Sequence, residues 1–183
     1  MVGMAPARYA VHTAKVLETI VWLSNARSMD LYHVVKCAYY ADKYHLNQYG
    51  RPIAGDDYKA DIYGPLGQVI YGLLTGNPLE MIALGGNGDL PFHVRPDQRW
   101  LIVPNREANT RILSQSDIEA LQHAVLEVAD QGFGDLVAST HAEPAYIAAN
   151  GGRLRYEDML DAKDPQHAEK AADLAETARY AVF

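Results

Sequence analysis

MDLYHVVKCAYYADKYHLNQYGRPIAGDDYKADIYGPLGQVIYGLLTG, residues Met29 to Gly76, is the most strongly patterned stretch of the chain. Ser28 is placed to N-cap a helix, since its hydroxyl can accept a first-turn N–H that has no intrahelical partner. At 3.6 residues per turn, Leu31, Val34, Val35, Ala38, Asp42, His45, Leu46 and Tyr49 share one stripe. The other side is no more polar: His33, Tyr40 and Tyr44 stack there, with Cys37 and Ala41 on the flank. A helix apolar all round is one that neighbours touch on every side, so this is the expected core helix. Gly50 supplies the left-handed residue that ends it, and Pro52 prevents its restarting.

Asp42 and His45 lie three residues apart within that stripe. They read as buried polar groups that satisfy each other or nearby backbone. The competing reading is a general acid/base pair or half a metal site, for which no completing cluster lies close in sequence. Asp56 to Tyr63 reads as an extended passage too polar for a core strand. Gly64-Pro65-Leu66-Gly67 then reads as a helix start, with Pro65 at the first helical position and Gly67 marking a close approach. Such a start suits an anion, yet neither GxxxxGK[ST] nor GxGxxG is present.

The run Lys36 to Leu46, with Tyr49-Gly50-Arg51-Pro52-Ile53, Asp56 to Ala60 and Tyr63-Gly64-Pro65-Leu66, resembles the SocA-like antitoxin (Panacea) domain. So does Leu113-Ser114-Gln115-Ser116 through Gly134-Asp135-Leu136 to Thr140-His141-Ala142-Glu143-Pro144-Ala145-Tyr146, where Tyr146 stands in place of the family's frequent tryptophan. The resemblance covers about residues 10 to 150 and leaves a helical extension at about 153 to 183. It implies a single domain over 1–183 and an antitoxin that binds and neutralises a cognate protein toxin, usually encoded beside it. Neutralisation would proceed by occlusion or by handing the toxin to a protease or its unfoldase. Within the resemblance Asp42, His45, Gly50, Pro52, Gly64, Pro65, His141, Glu143 and Pro144 are motif positions of structural type.

A chain of 183 residues, 49% of them hydrophobic, can bury one sizeable core. Its net charge of −7 argues against non-specific binding to nucleic acid, which needs a basic surface. One cysteine, Cys37, excludes an intrachain disulfide and a multi-cysteine zinc site, and mid-helix it reads as a small buried hydrophobe. The His141-Ala142-Glu143-Pro144 run lacks the P-C-x-x-C that zinc deaminases require. No catalytic residue, metal or cofactor is therefore expected. With no apolar run long enough to span a bilayer and no signal peptide, the expectation is a cytoplasmic protein.

In chain order, Met1 to Arg8 reads as frayed and Tyr9 to Ser24 as an amphipathic helix with Trp22 in the core. Pro65 to Leu74 reads as the third helix, stopped by Thr75-Gly76-Asn77-Pro78, and Gly85 to Asp89 as a mobile loop. Leu90–Val94 and Arg99–Val103 read as a β-hairpin around Arg95-Pro96-Asp97-Gln98, with ambiguous register in its second strand. Such a hairpin must lie on helices or pair again. Ser116 and Glu119 read as a capping box for a helix ended by Gly132 and Gly134. Short helices follow at Asp135–Ser139 and Pro144–Ala149, with further helix at Tyr156–Leu160 and Pro165–Tyr180. The expected architecture is α+β: a mainly helical single domain with a small β-hairpin or sheet packed on the helices.

Tyr40, Tyr44, Tyr58 and Tyr63, with the C-terminal helix, form the hypothesised toxin-binding surface, since tyrosine buries much area with few rotors. The alternative is that these rings complete the core. Two other classes stay open: an enzyme using Asp42, His45 or His141, and a regulatory or phage-associated DNA-binding protein using Arg95, Arg99, Arg106 and Arg111. The sequence does not set the oligomeric state.

Overall fold

The chain winds around its second helix. α1 (Thr13–Ala26) leads through a two-residue strand, β1 (Met29–Asp30), into α2 (Leu31–Tyr49). The computed structural model describes residues 6–83, 89–178 and 180–181, so most of the glycine-rich segment 85–89 and residues 1–5 lie outside the described residues. α2 packs most extensively on α5 (Gln115–Val128) and also touches α1 and α3 (Gln68–Thr75). Val34, Cys37, Tyr39, Ala41 and Leu46, on different sides of α2, are all inaccessible to solvent. The helix begins two residues later than Ser28 predicts, because Met29 and Asp30 are drawn into pairing with β5 (Leu101–Pro104). Asp30 caps it instead, accepting the His33 N–H at 2.8 Å. Gly50 closes it at φ 73°.

The expected hairpin is β4 (Phe92–Arg95) and β5, in the register Val94↔Ile102 and Phe92↔Pro104. This sends Phe92 and Ile102 inward and resolves the ambiguous second strand. β1 adds a third strand on the far side of β5, giving the order β1-β5-β4. The turn is longer than a four-residue loop: a 3-10 turn at Pro96–Gln98 is followed by Arg99 and Trp100, both at positive φ.

A second hairpin replaces the expected helix start at Gly64. β2 (Tyr58–Asp61) pairs with β3 (Gly64–Gly67) across a turn at Ile62 and Tyr63, and α3 begins only at Gln68. Pro65 sits opposite Ala60, whose N–H points the other way to the Gly152 carbonyl at 2.8 Å. A missing N–H there removes no ladder bond. Gly64, at φ 99°, has no room for a side chain, since a Cβ would come within 2.9 Å of the Thr140 Cβ.

The close approach expected at Gly67 is made by Asp56. Its carboxylate accepts the Val69 and Ile70 N–H groups of α3, each at 2.9 Å, together with that of Asp57. The anion at this helix start is therefore the chain's own side chain.

Beyond Gly76, Pro78 opens a new short helix, α4 (Pro78–Ala83), where only a stop was expected. The capping box of α5 lies two residues upstream of the expected one: Ser114 caps and Asp117 reciprocates. Gly132 N-caps α6 (Phe133–His141) and Gly134 lies within it, so neither ends α5. α7 (Pro144–Ala149) is followed by a 3-10 turn at Tyr156–Met159 and α8 (His167–Thr177). Segments near both ends of the described residues join the core. Of the stretch expected to fray, residues 1–5 lie outside the described residues, while Ala7 is buried with its N–H on Glu157. Lys59 bridges Arg153, and Tyr156, Met159, Leu160, Leu174 and Ala178 are buried. The result is a mainly helical α+β domain with small antiparallel sheets packed on the helices.

Gly67→Ala would put a Cβ 2.6 Å from Asp56 Oδ2 and 2.9 Å from Ile70 Cγ2. It is expected to destabilise the fold by roughly 1–3 kcal/mol in urea titrations, as is Asp56→Ala, which strands two buried N–H groups. Gly134→Ala, inside α6 with nothing within 4 Å of its Cβ, is the control and should leave stability unchanged or slightly raised.

Candidate functional site

Three polar side chains of α2 point into the protein, and each meets backbone of the segment that follows the helix. Asp42 accepts the Ile53 N–H and the Tyr58 hydroxyl, both at 2.8 Å. His45 Nδ1 donates to the Arg51 carbonyl at 2.7 Å, leaving Nε2 to accept from the Ser116 hydroxyl at 3.0 Å. Lys36 Nζ donates to the Pro65 carbonyl at 2.7 Å and lies 5.1 Å over the Tyr32 ring. Asp42 and His45 do not bond each other. His45 instead faces Asp117 at 3.3 Å, which also takes Lys15 and Arg51.

Burial governs the protonation of these groups. It pushes Asp42 up to about 7, against the bonds from Tyr58 and Ile53. It pushes Asp56 up to about 6, against its three N–H donors. Burial also lowers His45, favouring the neutral ring, and draws Lys36 down to about 7. At Asp117 burial is outweighed by the hydrogen bonds from Lys15 and Ser114, which hold the carboxyl below the usual carboxylate range. Cys37 is fully buried and burial raises its thiol to about 12. The cavity beside Asp42, Asp56 and Tyr58 measures about 20 Å³, room for little more than a water molecule. Among the described residues, no group of three or more His, Cys, Asp or Glu is arranged to hold a metal, and no helix is long and apolar enough to cross a membrane.

The Thr140–Tyr146 segment clamps the β2–β3 turn. His141 Nε2 lies 3.1 Å from the Ile62 carbonyl, and its ring stacks on Tyr146, whose hydroxyl donates to the Asp61 carbonyl at 2.8 Å. Glu143 pairs with Lys43 of α2, and Pro144 occupies the first turn of α7. Pro52, after the helix end, is buried with its carbonyl accepting from Arg51. Among the arginines of a possible basic face, Arg106 is held by Glu18 and Arg95 by Asp97.

The four singled-out tyrosines separate. Tyr58 is 3% exposed, with its ring edge-on to Tyr39 and its hydroxyl on Asp42, so it belongs to the core and not to a contact surface. Tyr40 is buried, and Tyr44 stacks on His123 with its hydroxyl on Glu119. These two line a groove of about 460 Å³ with Met159 and Leu160. Tyr63 is half exposed at the tip of the β2–β3 turn, 5.5 Å from the Phe133 ring. Phe133 in turn lies 4.6 Å from Tyr32, whose hydroxyl donates to the Tyr63 carbonyl at 3.0 Å.

Beside this trio lies a cleft of about 350 Å³ lined by Tyr32, Tyr71, Trp100, Phe133 and Arg99. Sequence reasoning missed this patch. Its one local signal was a phenylalanine isolated between Gly132 and Gly134; Trp100 shares the parity of the inward-facing Ile102 and gave none.

Between about pH 4 and pH 7 the folded state keeps protons on Asp42 and Asp56 that the unfolded chain has released. These two groups therefore lower stability as pH rises through that window. Lys36 acts oppositely above about pH 7, where the folded amine is neutral and the unfolded one still charged. Urea unfolding from pH 4 to 9 should show Asp42→Asn gaining on the wild type as pH rises to 7. Lys36→Met should lose the wild type's gain above 7.

Comparison with curated proteins and with solved structures returns no match. A family model, antitoxin SocA-like, Panacea domain, matches residues 34–146, more than half of the chain. The matched span runs from Val34, three residues into α2, to Tyr146 and so holds the α2 polar groups, both hairpins and the clamping segment. The chain belongs to the SocA-like antitoxin (Panacea domain) family.

Proposed function

We propose that the protein acts in the cytoplasm as an antitoxin, binding a cognate protein toxin stoichiometrically and blocking it by occlusion. The observation that carries this reading is the contiguous patch of half-exposed aromatic rings around Tyr63. Phe133 and Trp100 are each 52% exposed and Tyr71 41%. Rings of this size left in water beside one another mark a protein-binding surface. They stand on the β2–β3 turn, α3, α6 and the β4–β5 turn, elements packed on the core, which suits a rigid cover. The half-exposed ring of Tyr63 at the tip of the β2–β3 turn supports a part for it in the contact. Tyr40 and Tyr44 take a lesser part, because the first is buried and the second is already engaged by His123 and Glu119.

Expressing the adjacent reading frame alone and then with this protein tests the proposal. Growth arrest relieved by co-expression, a co-purifying complex and undiminished toxin level are expected. Falling toxin level would instead indicate hand-over to a protease. Tyr63→Ala and Phe133→Ala should each weaken the complex about tenfold with the fold intact. Tyr58→Ala should lower stability by about 3–5 kcal/mol through its core cavity. Toxicity that persists with no complex sinks the reading.

A further inference from the structure

We propose that the toxin anchors itself by one large apolar side chain seated between Tyr32, Tyr71, Trp100 and Phe133, beside a carboxylate that pairs with Arg99. This rests on the antitoxin reading and specifies the partner's chemistry.

The backbone is the first argument. Arg99 and Trp100 are consecutive non-glycine residues at φ 56° and 60°. That conformation suits glycine or asparagine and is costly for a bulky side chain. It is held by the Leu31 N–H on the Trp100 carbonyl at 3.0 Å and by the Arg95↔Leu101 pair closing the hairpin. A turn serving only the fold would gain from smaller residues here. Trp100 is instead half exposed, so its indole adds little to the core. Local strain of this kind persists where a surface uses the side chain it presents.

The second argument is charge. Arg27, Arg51, Arg95, Arg106, Arg153 and Arg155 each face a carboxylate, whereas Arg8, Arg99 and Arg111 have no ion pair among the described residues, and of these three it is Arg99 that lines the cleft. The Arg99 guanidinium has no ion pair or hydrogen bond among the described residues, in a chain of net charge −7. The carboxylate that also lines the cleft, Asp30, is occupied by His33. The cleft thus offers one unpaired cation beside apolar rings. An acidic residue next to an aromatic or large aliphatic one complements it, whereas a basic segment would be repelled. Trp, Tyr and Arg are also the side chains most enriched among binding hot spots.

The chain holds two tryptophans, Trp22 and Trp100, so Trp22→Phe leaves Trp100 as the sole indole emitter. This variant is titrated with the purified product of the adjacent reading frame in a non-lethal form. Trp100 emission is expected to shift to shorter wavelength and its quenching by acrylamide to fall. Arg99→Glu should weaken the complex more than tenfold, with the deficit shrinking in high salt, while Arg99→Lys keeps most of the affinity. A complex that forms with Trp100 emission unchanged, or that Arg99→Glu leaves intact, overturns the inference while the antitoxin reading stands. No complex with the wild type overturns both. Should Trp22→Phe fail to fold, fluorotryptophan labelling of the wild type gives one fluorine resonance per indole, assigned by Trp100→Phe. The same shift or its absence then decides.

Discussion

The fold depends on three polar side chains buried along one helix. Lys36, Asp42 and His45 are buried from bulk solvent, where an unpaired polar group is costly, and each takes a backbone partner at hydrogen-bond distance. They find the Pro65 carbonyl, the Ile53 N–H and the Arg51 carbonyl, all in the passage that follows the helix. A helix that could otherwise slide in an apolar environment is thereby registered against residues 51 to 65. Asp56, in the same passage, extends the arrangement by capping α3 with its own carboxylate.

Registration of that passage decides where the surface lies. With Pro65 held on Lys36 and Gly64 pressed against Thr140, the β2–β3 turn has one position, and Tyr63 at its tip is directed away from the core. His141 and Tyr146 hold the turn from the other side through the Ile62 and Asp61 carbonyls. The Tyr63 end of the aromatic patch is therefore supported by hydrogen bonds to the β2–β3 turn, and the Tyr32 and Phe133 rings pack beside it. A rigid aromatic surface loses little conformational freedom on binding, which favours affinity from few contacts.

Burying charge-capable groups has a thermodynamic consequence. Burial raises Asp42 and Asp56 and lowers Lys36, so near neutral pH each sits close to its own titration. By contrast, Asp117 is matched by Lys15 and Arg51, and its charge is kept. The polar core thus contains both a compensated ion cluster and groups whose burial only hydrogen bonds offset.

Much of this was legible locally. The apolar periodicity of α2, its Gly50 end, the β4–β5 hairpin and the Pro144 helix start all depend on residues within a turn or two of one another, and the sequence alone sufficed for them. The family pattern was legible for the same reason, being carried by short runs in a set order. Tertiary structure decided the rest. Gly64 to Gly67 became a strand by pairing with Tyr58 to Asp61, where Lys36 and Thr140, 28 residues before and 76 residues after Gly64, hold the Pro65 carbonyl and press on Gly64. Met29 and Asp30 joined β5 and moved the α2 cap by two residues. Tyr58 went inside and Trp100 stayed outside because long-range pairing sets which side of a strand or turn meets the core. A tyrosine's own neighbours in sequence carry no record of that, since hydrogen bonding and periodicity are local while exposure is a property of the whole packed chain.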